Sequence, residues 1–210
     1  MRHDYLTPHQ FEPVIPYMDT LLVSTYSPQS LDVAAPHAAS RMIAESLTQR
    51  ILERFGGRTA HLSYGGAALY SNWSAEWAAG LLALYAHPTR FCLVITDRLR
   101  TQEWSDLPSS DDTQWAVFDW WQWLRRRVPE NRQSDALLFL CQATDEFARS
   151  DERTWYGMTP DVLSAMATEG KRLFGEMTAD LGQHILGWWQ TVDSPDEGLA
   201  NQAPRGNEIV

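Results

Sequence analysis

FCLVIT, residues 91–96, is a continuous apolar run, too short for a typical helix and bracketed by His87-Pro88 and Asp97. Runs of this kind belong to strands of parallel sheets that are covered on both faces, so a central strand is expected here. Upstream, residues 58–64 set Ala60, Leu62 and Tyr64 against Thr59, His61 and Ser63, the two-residue period of a half-buried strand, and Gly65-Gly66 ends it. Between His37 and Phe55 the residues Ile43, Leu47, Ile51 and Phe55 recur every four positions before Gly56-Gly57, which predicts a helix. Asp19 to Tyr26 (DTLLVSTY), with Val23 and two threonines between prolines 16 and 28, predicts another strand, and Ser74 can cap a helix running to Ala86.

Downstream, Asp111 and Asp112 suit the start of a helix extending to Arg127. Ala136 to Gln142 (ALLFLCQ) fits either helix or strand, and its place in the order favours a fourth strand. From Thr159-Pro160, a 3.6-residue stripe of Leu163, Met166, Gly170, Phe174, Met177, Leu181, Ile185 and Trp188 predicts a long helix, with Gly170 marking a close approach. Strands alternating with helices make an α/β domain: a mostly parallel sheet of about four strands flanked by helices, one strand short of a flavodoxin-like order. A mainly α chain with a small sheet is the alternative. One domain over residues 1–193 is expected, followed by a polar, loose tail over 194–210 that carries Pro195, Gly198, Pro204 and Gly206.

The 210 residues carry a net charge of -10, which argues against direct nucleic-acid binding, because that depends on clustered Lys and Arg. No apolar run approaches the ~20 residues of a membrane span, and the start lacks the apolar core of a secretory signal. A cytoplasmic protein is expected, and the single lysine, Lys171, fits a GC-rich bacterial source. Cys92 and Cys141 lie within apolar runs as small inert hydrophobes. The six histidines, at 3, 9, 37, 61, 87 and 184, form no metal-binding pattern. No cofactor is specified.

Ligands of open parallel sheets sit beyond the carboxyl ends of the strands. That places Ser24, Ser27, Ser30, Ser63, Gly65, Gly66 and Asp97 at one candidate edge. The first loop resembles the hydroxyl-rich loop of flavodoxin-like flavin reductases at Thr25 and Ser30, which implies a phosphate or flavin cradle, although the usual glycine and arginine are missing. A plain Ser/Pro turn is the commoner origin of such a loop. Ser63, His61 and Asp97 supply the residue types of a hydrolase, but without a G-x-S-x-G elbow to expose the serine. Arg125-Arg126-Arg127 is the only basic run; it suits a helix C-terminus, and with Arg132 it makes an anion patch conceivable.

Trp115 to Leu124 (WAVFDWWQWL), taken as helix, places Ala116, Val117, Trp120, Trp121, Trp123 and Leu124 on one arc and leaves Trp115 and Phe118 among polar residues. Those two aromatics, with Glu103, Asp106, Asp111 and Asp112 on the preceding acidic loop, form a candidate interface. The sequence therefore favours a non-enzymatic interaction protein of immunity, anti-defence or adaptor type, binding a protein with a basic face, with self-association also open. The alternative is a small α/β enzyme or nucleotide-binding protein that uses the strand-end loops.

Overall fold

The computed structural model describes residues 7–26, 31–64, 89–97, 113–150, 157–193 and 208–209. Four six-residue strands form its sheet: β1 (Thr20–Thr25), β2 (Thr59–Tyr64), β3 (Phe91–Thr96) and β4 (Gln114–Asp119). All pair in parallel, and with the two-residue β5 (Glu208–Ile209) the order is β2-β1-β3-β4-β5. Besides short helical turns at Pro8–Phe11, Ile15–Tyr17 and Glu130–Arg132, the helices are α1 (Ala39–Phe55), α2 (Trp120–Arg127), α3 (Gln133–Gln142), α4 (Asp145–Ala148) and α5 (Pro160–Asp193). This is the expected α/β architecture, in the strand order of doubly wound folds whose direction reverses between β1 and β3.

Sheet and helices share one core. Leu22, Leu93, Ile95, Ala116 and Phe118 project from one face into a cluster with Ile43, Leu47 and Ile51 of α1, Leu137 and Leu140 of α3, and Phe174 and Leu181 of α5. Leu21, Val23, Cys92, Val94 and Val117 alternate to the opposite face and are buried as well. Every residue of β3 is buried, which is why its six residues are continuously apolar rather than alternating. At Gly170 the close approach is real: an added Cβ would lie 1.9 Å from the carbonyl oxygen of Phe139, so α5 can pass α3 only with glycine there.

Two expected elements are corrected. Residues 114–119 are strand, and the helix begins only at Trp120, after Asp119 accepts a hydrogen bond from the Gln122 amide at 2.8 Å. Trp115 and Phe118 therefore lie on opposite faces of β4, 6% and 0% exposed, and the helical wheel that set them outside the core does not apply. Ala136–Gln142 is helix, not the fourth strand. Its Leu and Ala residues favour helix, and it lacks the β-branched residues that would hold it extended. Within the segment expected to be a loose tail, Glu208 and Ile209 pair with Val117 and Phe118. The helix expected from Ser74 to Ala86 lies outside the described residues.

Candidate ligand site at the carboxyl edge of the sheet

The carboxyl ends of β1 and β3 lie side by side where the strand order reverses, and polar side chains are buried there on both faces. On the α1 side, Ser24 pairs in register with Ser63 and Ile95. Its hydroxyl lies 2.8 Å from Nε2 of His61, and both residues are buried. One residue beyond β3, the fully buried Asp97 accepts a hydrogen bond from the Ser40 hydroxyl at 2.7 Å. Ser40 sits in the first turn of α1, so this carboxylate faces the positive end of a 17-residue helix. On the opposite face, the Thr25 hydroxyl is buried and has no hydrogen-bond partner. Thr96, also buried, stands in register with Asp119.

Polar contacts continue outward from this edge. Ser63 donates to Glu45 of α1 at 3.4 Å, and Glu45 pairs with Arg41 at 3.3 Å. Arg41 also pairs with Glu146 of α4, and that hydrogen bond raises the already high pKa of the guanidinium. Asp32, in the segment leading to α1, accepts from the Ala34 amide at 2.8 Å and the Ser134 hydroxyl at 2.7 Å. These two bonds hold its carboxyl below the usual pKa, and they tie the segment after β1 to the first turn of α3.

Of the residues expected at the ligand edge, Ser24, Ser63 and Asp97 gather at these strand ends, each with a polar partner. Ser27, Ser30, Gly65 and Gly66 lie outside the described residues. His61 contacts Ser24 rather than Ser63, so no Ser63–His61 pair is assembled. Sequence reasoning did not single out Ser40; a serine in the first turn of the best-defined helix was the available signal.

The expected interface divides differently. Trp115 and Phe118 are core residues of β4, which removes the aromatic anchors of a contact surface. Glu103, Asp106, Asp111 and Asp112 lie outside the described residues. Burial pushes the Cys92 thiol well above its ordinary pKa and that of Cys141 up to about 12, so neither is a thiolate at neutral pH. Among the described residues no group of three or more His, Cys, Asp or Glu side chains is placed to hold a metal ion, and no helix is long and apolar enough to cross a membrane. Compared with known proteins, the chain matches no family model, no curated protein and no solved structure.

Proposed function

We propose that this domain binds a small, neutral, hydroxyl-bearing molecule of nucleoside type where β1 and β3 diverge. The observation that carries this reading is the gathering of buried polar groups at that edge, among them the partnerless hydroxyl of Thr25. A buried hydroxyl without a partner costs about 1–3 kcal/mol, and a ligand group that bonds to it recovers that cost on binding. The chemistry favours a neutral ligand. Asp97 accepts a hydrogen bond from a hydroxyl, that of Ser40, and among the described residues none of the buried polar groups at the edge is a lysine or arginine. For a protein partner there remain the net charge and the acidic residues Glu103, Asp106, Asp111 and Asp112, because the two aromatic anchors are inside the core.

Saturation-transfer NMR with adenosine and with ribose tests this. Transfer to at least one of them is expected with the native chain, to be lost in Asp97→Asn and reduced in Thr25→Val, with thermal melting confirming that both variants fold. Absence of transfer from either compound, or transfer unchanged in a folded Asp97→Asn variant, refutes the reading.

A further inference from the structure

We infer that the cleft between the last turn of α2 and the start of α3 binds a phosphate-bearing small molecule through Arg125 and Arg126. Three consecutive arginines stand out in a chain with 27 acidic and 17 basic residues. Cations at a helix C-terminus ordinarily serve its free carbonyls. Here other groups already serve three of the carbonyls at this end. The Val128 amide bonds to the Leu124 carbonyl at 2.9 Å, and the Gln133 side chain donates to the carbonyls of Arg125 at 3.4 Å and Val128 at 3.1 Å.

The neighbouring cations are already engaged. Arg127 pairs with Asp180 at 2.7 Å and lies 4.1 Å over the Trp123 ring, and Arg132 pairs with Asp135 at 3.2 Å. Arg41, Arg58, Arg149 and Arg172 are likewise ion-paired. Arg125 and Arg126 are exposed and have no acidic partner among the described residues. Both line a cleft of about 750 Å³, together with Gln122, Glu130 and Gln133. That volume is within the usual range for small-molecule sites, roughly 300–1,000 Å³.

Two features narrow the ligand. Glu130 offsets one of the two free cations, which suits a single phosphate better than a polyanion. Guanidinium groups bind phosphate oxygens in pairs, so adjacent arginines provide both charge and direction. The Gln122 and Gln133 side chains also line the cleft, and amides of this kind can exchange hydrogen bonds with a ligand hydroxyl. A sugar phosphate satisfies both requirements, whereas inorganic phosphate satisfies the first alone. This site is separate from the carboxyl-edge ligand proposed above and does not depend on it.

Calorimetric titration at low ionic strength with ribose 5-phosphate, inorganic phosphate, ribose and a hexa-aspartate peptide provides the test. Ribose 5-phosphate is expected to bind more tightly than the other three. The double variant Arg125→Gln, Arg126→Gln should weaken it about tenfold or more while melting normally, since both side chains are exposed. Asp97→Asn should leave this binding unchanged, which separates failure here from failure at the strand ends. The inference is overturned if ribose 5-phosphate does not bind, if the folded double variant binds it equally well, or if hexa-aspartate binds more tightly, which would give the cleft to an acidic protein segment.

Discussion

The two ends of β1 bury their threonines in different ways. At the amino end the hydroxyls of Thr20, Thr59 and Thr113 are satisfied by neighbours: Thr59 donates to the Phe55 carbonyl, Thr113 donates to the Thr89 carbonyl, and Thr20 donates to Asp19 while accepting from the Trp189 indole at 2.9 Å. Asp19 pairs with Arg58, whose guanidinium lies 4.6 Å over the Trp189 ring, and Trp188 stacks on Phe91 at 5.0 Å. The last turns of α5 thus close this end with aromatic rings. At the carboxyl end, Asp97 and the Ser24–His61 pair are buried beside a Thr25 hydroxyl that bonds to nothing. A satisfied polar group adds stability and fixes position, whereas an unsatisfied one is retained at a cost and marks where a ligand would contribute most.

This contrast can be broken by substitution, beginning at the closed end. Trp188→Ala removes a nearly buried ring from Phe91 and is expected to cost about 3–5 kcal/mol in urea denaturation. A loss below about 1 kcal/mol would mean that the aromatic closure contributes little. Arg58→Met should cost about 1–2 kcal/mol, because it removes a partly shielded ion pair together with the contact over Trp189; if the melting temperature does not move, both contacts are incidental.

The sharpest comparison sets the two ends of β1 against each other. Thr20→Val should destabilise by about 1 kcal/mol, since it leaves Trp189 without its acceptor, while Thr25→Val should be neutral or slightly stabilising because no bond is lost. Equal costs for the two valines would remove the distinction between the ends.

The smallest expected effect depends on pH. His184, edge-on to Trp188 with its Nε2 buried and unpartnered, has its pKa lowered by burial from the ordinary 6.5. The unfolded chain then holds the proton more tightly than the folded one. This contribution to stability is therefore complete above about pH 6.5 and declines as the pH falls below it. Urea midpoints at pH 7.5 and 5.5 should differ less in His184→Gln than in the native chain, and equal differences would remove His184 as the cause.

Much of the fold was legible because each early element carries a single unambiguous period. β1, β2 and β3 occupy the expected positions, as do α1 and α5, and the FCLVIT run is buried on both faces. The reading failed where two periods fit the same residues. WAVFDWWQWL forms an apolar arc on a helical wheel, but it is four buried strand residues, an aspartate cap and then a helix whose Trp120, Trp123 and Leu124 face the core. Asp119 was the available signal, since an aspartate followed by helix-compatible residues marks a helix start. Ala136–Gln142 was assigned from its place in the order, and leucine propensity would have been the better guide. At the ligand edge the residue types could be read, but not their pairing, because the Ser24–His61 contact joins residues 37 apart through a strand register that the local sequence does not encode.

β5 has a consequence for the order in which the chain is made. Glu208 and Ile209 pair with Val117 and Phe118, about 90 residues earlier, so a nascent chain presents this side of β4 well before its partner exists. At about 5–20 residues per second, the wait on the ribosome is several seconds or more. An unpaired strand rim is where neighbouring nascent chains can join, and carboxy-terminal truncation would make that temporary vulnerability permanent.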